Sequence, residues 1–428
     1  MREHKPIDFQ TAEQIHTLQE ISLGKLMNYL AQHSTFYRKV FSEIGINPDE
    51  IKLADLPKIP FTTKDHLAAF NEEFLCIPKN EVADFVTTSG TLSSPVTFYL
   101  SANDLERLAY NEAKSFACAG AKAGDIFQLM TTLDKQFMAG LAYYLGARKL
   151  KAGVIRMGPA TPMSQWESIK RFSPDFLIAV PSFIPKMISY ALENNIDYRS
   201  SSVKSIICIG EPIRNPDFSW NELGKRIISQ WDVQLFSTYA STEMGAAFTE
   251  CEMGNGGHSR PDLLWVEVVN ESGEQVNDGE LGEVVITTFG VEGMPLLRYK
   301  TGDLCHVHLQ KCACGRSSIR LGPVVGRKQQ MIKYKGTTLF PPAIFDLLDK
   351  MPEVEVYQVE ISQSEFGNDE IAILLCADLE EETFVQKLNL LFKSRLRVTP
   401  KYRFISKSEL MTKVFKVDKR KSEKIIYI

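Results

Sequence analysis

The chain has no stretch approaching the roughly 20 apolar residues needed to cross a bilayer. Its first ten residues, MREHKPIDFQ, have no apolar core of the kind a secretory signal requires. It also lacks an excess of positive charge. The 49 Lys and Arg against 53 Asp and Glu leave a net −4, which excludes a general affinity for nucleic acid or anionic membrane. Repeats and low-complexity segments are missing too. Eight cysteines, at 76, 118, 208, 251, 305, 312, 314 and 376, sit mostly singly inside apolar runs such as Ile206-Ile207-Cys208-Ile209. That usage fits buried reduced thiols and excludes a secreted disulfide scaffold. The expected setting is the cytoplasm, with no membrane and no nucleic-acid partner.

What is present is a globular composition, 44% hydrophobic and 24% charged over 428 residues. That length exceeds one typical domain. Charge is unevenly placed: residues 393–428 hold twelve Lys and Arg against three Asp and Glu, a net +9 that leaves −13 on the rest. A basic end and an acidic body suit a polyanionic small molecule, although a solvated basic face gives the same pattern. Apolar spacing predicts helices over 11–34 and 35–44, and one over 64–70 capped by Thr63. From 104 to 210, helices over 105–119, 139–145, 163–172 and 183–194 alternate with strands at 126–130, 176–180 and 203–209. This is an α/β pattern with largely parallel strands. From about 231 to 325 the texture becomes β-rich, a linker is expected at 325–330, and strands at 354–361 and 371–377 with a helix over 381–396 follow. The predicted division is a core of 1–326 and an α+β domain of 327–428.

Three segments carry candidate chemistry. Residues 85–101, FVTTSGTLSSPVTFYLS, set a loop of small hydroxyl residues and Gly90 between two strands. Backbone N–H groups approach a phosphate where side chains are small, and Thr87, Thr88, Ser89, Thr91, Ser93 and Ser94 add hydroxyl donors. The Gly-Lys-Ser/Thr ending of a Walker sequence is absent, and an ordinary polar hairpin remains the alternative. In FSTYASTEMGAAFTE, residues 236–250, a tyrosine able to cover a purine stands four positions before a carboxylate able to hold magnesium, Tyr239 and Glu243. In PLLRYKTGD, residues 295–303, Asp303 follows glycine in an expected turn. It can take two hydrogen bonds from vicinal ribose hydroxyls or merely close an Asx-turn.

In this order the three segments resemble the adenylate-forming superfamily, most closely the phenylacetate-coenzyme A ligase family. The resemblance spans nearly the whole chain. It is carried further by YLAQHSTFYR at 29–38, PFTTK at 60–64, Gly210-Glu211-Pro212, CACGR at 312–316, LGPVVGR at 321–327 and KGTTLFP at 335–341. It implies a large N-terminal α/β core, multi-sheet with a β-rich subdomain, and a small mobile C-terminal α+β domain with the active site at their junction. It implies a two-step reaction: a carboxylate attacks the α-phosphate of ATP to give acyl-AMP and pyrophosphate, and a thiol, usually of coenzyme A, displaces AMP. Such chemistry needs charge neutralisation and alignment more than a protein nucleophile. By the resemblance, Ser89, Gly90 and Thr91 line the triphosphate. Tyr239, with Ala240, Ser241, Thr242 and the Gly210-Glu211-Pro212 turn, borders the nucleotide. Glu243 holds magnesium, Asp303 the ribose, and Arg327 sits near the hinge. ATP, magnesium and coenzyme A are the implied cofactors and co-substrates, a small carboxylic acid the partner, and a homodimer the assembly considered.

The sequence departs from the family pattern in three places. Leu92-Ser93-Ser94-Pro95 stands for Thr-Gly-Lys-Pro, so the loop has no cation. Gln329 and Gln330 stand where acidic residues are common. The C-terminal lysine that bridges substrate carboxylate and phosphate usually follows glycine. Here Lys413 is the first candidate and Lys416 the second, and neither does. Apolar and aromatic residues at 137–144, Phe137 and Tyr143 above all, are expected to wall an acyl pocket, with core packing as the alternative. Two other functions stay open: adenylation with a different acceptor, and nucleotide binding without turnover.

Cys251 and His258 flank a glycine-rich loop, and Cys312 and Cys314 form a Cys-x-Cys before Gly315. Three thiolates and one imidazole suit a structural tetrahedral zinc with no open position. Cys305, His306 and His308 compete for the fourth place, and unrelated reduced cysteines are the alternative.

Overall fold

The computed structural model describes residues 6–88, 96–334, 337–363, 369–376, 381–415 and 423–428. The chain divides into two compact units, Met1–Val324 and Val325–Ile428. The boundary lies two residues before the one expected from the sequence.

The first unit opens with helices α1 (Ala12–His33), α2 (Thr35–Ile44) and α3 (Lys64–Ala69). Thr11, Ser34 and Thr63 each accept a hydrogen bond from the backbone of the first turn that follows, so all three helices start at short polar side chains. Gly45, at φ 66°, ends α2. Their inward residues, Leu23, Met27, Leu30, Tyr37 and Phe41, join the largest core. Strands β1 (Asp84–Thr87) and β2 (Thr97–Leu100) pair antiparallel on either side of the polar loop.

An alternation of helix and strand follows, as the sequence predicts: α4 (Ala102–Cys118), β3 (Ile126–Leu129), α5 (Met138–Lys149), β4 (Gly153–Arg156), α6 (Pro162–Phe172), β5 (Phe176–Ala179), α7 (Ile184–Glu193), β6 (Ser205–Ile209) and α8 (Glu222–Ile228). Helix α4 begins three residues earlier than its apolar periodicity suggests, because Ser101 and Asp104 form a capping box. Strand β7 (Gln234–Ser241) is parallel to β6, and the chain then reverses into β8 (Ala246–Thr249). The later strands are β9 (Gly257–His258), β10 (Leu264–Val269), β11 (Leu281–Thr288), β12 (Tyr299–His308) and β13 (Arg320–Leu321). One continuous sheet runs β10-β11-β12-β13-β9-β8-β7-β6-β5-β3-β4. The β-rich region is therefore the antiparallel half of the main sheet, joined to the parallel half through β7.

The second unit starts at β14 (Gly326–Arg327). A small pair, β15 (Ile332–Tyr334) and β16 (Thr337–Leu339), precedes α9 (Pro341–Asp349). Strands β17 (Val356–Gln363), β18 (Asp369–Cys376), β19 (Lys401–Phe404) and β20 (Ile425–Tyr427) form a mixed sheet in the order β19-β18-β17-β20. Helices α10 (Glu381–Leu396) and α11 (Lys407–Val414) complete an α+β unit with its own core around Ile344, Val359, Ile373, Leu388 and Phe392. Among the described residues no helix is long and apolar enough to cross a membrane.

Helices α4 and α5 approach so closely that a Cβ on Gly146 would overlap the Cβ of Glu112. That contact seals Glu112 in the interior, with Asn111 Nδ2 donating to its Oε1 at 3.0 Å. Burial, opposed by Arg260, pushes its carboxyl up to about 8. An unfolded glutamate ionises above about 4.5, whereas the folded one keeps its proton until about 8. Stability from this group is therefore full below pH 4.5 and is lost as pH rises to 8, by about 1.4 kcal/mol for each pH unit crossed. Urea denaturation across that range is expected to show the decline in wild type and a flatter profile in Glu112→Gln.

Candidate active site

Strand β12 is built around an irregularity. Leu304 pairs with Glu283 and Lys300 with Val285, so Thr301, Gly302 and Asp303 together face the single residue Val284. The extra residues are held by Thr301 Oγ1, which donates to Val284 O at 2.8 Å and accepts from Asp303 N at 3.1 Å. Gly302, at φ 76°, supplies a conformation that side-chain-bearing residues resist. Asp303 thus lies on a strand bulge, not in the turn read from the sequence, and a bulge re-aims its side chain. The start of β12 is anchored by Arg298, a non-glycine residue at φ 48°. Its buried guanidinium pairs with Glu267 at 2.9 and 3.2 Å and donates to Ile59 O at 2.6 Å.

The aimed Asp303 meets Tyr239. The Tyr239 hydroxyl donates to Asp303 Oδ2 at 2.8 Å, and its ring stacks on Phe248 of the neighbouring strand at 5.7 Å. Burial, then the Asp303 charge, pushes the Tyr239 phenol well above its ordinary range, so it stays a donor at neutral pH. Ala240 and Ser241 finish β7 opposite Ala247 and Ala246, and Thr242 and Glu243 form the turn into β8. Ser241 Oγ accepts from Met244 N at 3.3 Å. The Tyr299 hydroxyl reaches Glu243 Oε1 at 3.5 Å, so one strand touches the candidate nucleotide tyrosine and the candidate magnesium carboxylate.

Two residues that sequence reasoning passed over support this turn. Arg107, on α4, is wholly buried, and its guanidinium donates to the carbonyls of Gly245 at 2.6 Å, Leu263 at 2.8 Å and Phe289 at 2.8 Å. Burial pushes it down only to about 10, so it remains a cation gripping the turn. Tyr299 lies in the same PLLRYKTGD segment as Asp303, four residues before it, and nothing local marks it. Nothing in the local pattern of α4 marks Arg107, because its partners lie more than 130 residues away.

Other expected residues distribute as follows. Ser89, Gly90 and Thr91 lie outside the described residues. The loop base is fixed by Thr88, whose N donates to Val96 O and whose Oγ1 accepts from Val96 N, each at 3.0 Å. Thr87 N donates to Gln136 O at 3.1 Å, which brings half-buried Phe137 near that base, after two consecutive left-handed residues, Lys135 and Gln136. Gly210 turns at φ 78° after β6, Glu211 accepts from Ser182 N and Oγ at 3.1 Å, and Pro212 O accepts from Asn221 at 2.9 Å. Tyr143 corrects the expectation of a pocket wall. It is 3% exposed, in a core with Phe116, Phe127 and Phe176, because it lies on the face of α5 turned to the sheet. Arg327 and Lys413 belong to the second unit, Arg327 in β14 and Lys413 exposed in the last turn of α11. Lys416 lies outside the described residues.

The four candidate metal ligands do converge. Their donor atoms all lie within 4.8 Å of one another. Cys251 Sγ and Cys312 Sγ are 3.8 Å apart, and Cys314 Sγ and His258 Nε2 are 3.5 Å apart. Burial, then Arg316, Arg260 and Arg320, push His258 down to about 3, so its imidazole is neutral. Its Nδ1 lies 3.2 Å from Ser318 Oγ, which leaves Nε2 facing the thiols. The three competitors lie elsewhere. Cys305 is in the core, His306 Nδ1 is 2.9 Å from Gly279 O, and the His308 ring lies against Phe218.

A family profile described as AMP-binding enzyme matches residues 44–293. The phenylacetate-coenzyme A ligase of Thermus thermophilus is 31% identical over 349 residues, 80% of this chain and 77% of that protein. The Escherichia coli enzyme of the same name is 27% identical, over 84% and 82% of the two chains. Among solved structures, a 2-hydroxyisobutyryl-CoA ligase in the postadenylation state aligns with a TM-score of 0.82 at 21% identity, covering 98% of this chain and 90% of that one, a likeness of fold. This chain belongs to the AMP-binding enzyme family and, within the adenylate-forming superfamily, to the phenylacetate-coenzyme A ligases.

Proposed function

We propose that this protein is an ATP-dependent, AMP-forming acid-coenzyme A ligase acting on an aryl or similar carboxylic acid. The observation that carries the reading is the Tyr239-Asp303 hydrogen bond, with Glu243 one turn away and in reach of Tyr299. Asp303 accepts from ribose hydroxyls, and the Tyr239 ring, backed by Phe248, borders the adenine. Glu243 is a hard oxygen donor suited to magnesium, which when bound neutralises phosphate charge. The substrate carboxylate attacks the α-phosphorus, pyrophosphate leaves, and the coenzyme A thiol then displaces AMP from the acyl carbon. By the resemblance to the superfamily, Lys413, with Lys416 the second candidate, is assigned the contact between substrate carboxylate and phosphate. The cytoplasmic setting is supported by eight cysteines, none of which is in a disulfide.

We assign the Cys251, His258, Cys312 and Cys314 set to a structural zinc. Metal–ligand bonds of about 2.3 Å to sulfur and 2.0–2.1 Å to nitrogen, at tetrahedral angles, put donors roughly 3.8 Å apart for two sulfurs and 3.5 Å for sulfur and nitrogen. The observed 3.8 and 3.5 Å fit that set. Four protein ligands leave no open position, so the ion takes no part in the chemistry.

Acid-dependent exchange of pyrophosphate into ATP, measured across a panel of aryl and aliphatic acids, is expected to show turnover with at least one aryl acid. A thioester should form only when coenzyme A is added. ATP binding without exchange for any acid would reject the enzyme reading, and exchange without thioester would favour another acceptor. Lys413→Ala is expected to lower exchange by about 10²–10³-fold while ATP still binds. Elemental analysis should find about one zinc per chain in wild type and its loss in Cys312→Ser.

A further inference from the structure

The charges packed around the four ligand atoms do not balance. Arg316, Arg260 and Arg320 all act on His258. Their side chains are largely buried, Arg260 at 3% and Arg316 at 12% exposure. Asp8 Oδ2 accepts from Arg316 Nε at 2.9 Å and from Arg260 Nη1 at 3.3 Å. Arg320 spends its donors on the carbonyls of Asn255 and Gln310. Glu112, also near Arg260, holds its proton at neutral pH, and Asp262 is engaged by the Tyr110 hydroxyl at 2.7 Å and also faces the buried Arg107. Among the described residues, Asp8 is thus the one carboxylate directly bonded to this group of three guanidiniums, and it reaches two of them. A divalent ion with three thiolates and a neutral imidazole carries one net negative charge, the sign this environment calls for.

The N-terminal segment is tied into the same cluster. Residues Ile7–Phe9 form a single 3-10 turn. Ser317 N, beyond the Cys-x-Cys, donates to Asp8 O at 2.7 Å. The Arg316 guanidinium lies 4.6 Å over the Phe9 ring, and its Nη1 donates to Cys314 Sγ at 3.4 Å. A hydrogen-bonded path therefore runs from a ligand sulfur through Arg316 to Asp8.

We propose that Arg316 and Asp8 belong to the metal centre as its hydrogen-bonding outer layer, and that docking of residues 6–10 depends on the metal. This rests on the zinc assignment. With the metal bound, Cys314 is a thiolate and its bond to Arg316 is charge-assisted, while Asp8 fixes the guanidinium in the plane that reaches the sulfur. Without it, nothing pins Cys312 and Cys314 to Cys251 and His258, and the segment whose Arg316 and Ser317 hold Asp8 loses its anchor.

The test uses the full-length protein purified without chelator. Zinc per chain is measured first, then zinc affinity by competition with a chromophoric chelator for wild type, Asp8→Asn, Arg316→Met and Lys39→Ala, the last a distant exposed control. Asp8→Asn and Arg316→Met are expected to hold zinc about 10–100-fold more weakly, with the control unchanged. In wild type, chelation should remove hydrogen-exchange protection from amides 7–10 while α1 stays protected, a readout that stands even if a variant fails to fold. Zinc-loaded wild type whose amides 7–10 exchange equally with and without metal would overturn the proposal, as would Asp8→Asn with wild-type zinc affinity. Wild type without zinc would instead reject the zinc assignment, and this proposal with it.

Discussion

The buried ion pair between Arg298 and Glu267 sets the geometry on which the Tyr239-Asp303 pairing depends. Removing two charges from water is costly, and the gain here comes from a paired geometry plus a third hydrogen bond to the Ile59 carbonyl. Such a pair specifies position more than it adds net stability. It holds Arg298 in a left-handed backbone conformation at the entrance to β12, whose first residues, Tyr299 and Lys300, pair with Ile286 and Val285. Thr62 reinforces the choice by exchanging backbone hydrogen bonds with Arg298 and Lys300.

From that fixed point the strand delivers two kinds of group. Its bulge aims Asp303 at Tyr239, and Tyr299 reaches Glu243, so the tyrosine, the ribose-type carboxylate and the magnesium-type carboxylate share one support. Past its end at His308 the chain reaches Cys312 within four residues, while β8 ends two residues before Cys251. The ligand cluster therefore lies just beyond the ends of the strands next to the Tyr239-Asp303 bond. Arg107 closes the arrangement from α4 by holding the turn between β7 and β8.

Much of this was legible in the chain because it is encoded locally. A short polar side chain before an apolar-periodic run predicts a helix start, and Thr63 is the observed cap. Alternating helices and apolar strands between 104 and 210 predict a parallel sheet. Tyr239, Glu243 and Asp303 stand out in the sequence because each residue type has a matching chemistry and their order resembles a family. Tyr143 was misplaced because an aromatic residue on an apolar helix reads the same whether it faces a cavity or a core.

Sequence by itself determined the α/β class, the Thr63 helix start and the pool of cysteines and histidines from which the metal-type cluster is drawn, since periodicity, capping and residue chemistry are short-range properties. Tertiary structure alone decided that the β-rich region continues the main sheet, and that Asp303 stands on a bulge hydrogen-bonded to Tyr239. It also decided that Arg107 holds the turn after β7 and Tyr299 reaches Glu243, and that Cys305, His306 and His308 stand apart from the Cys-His cluster. These outcomes depend on pairings between residues tens to hundreds of positions apart, and strand register and burial exist only once those partners meet.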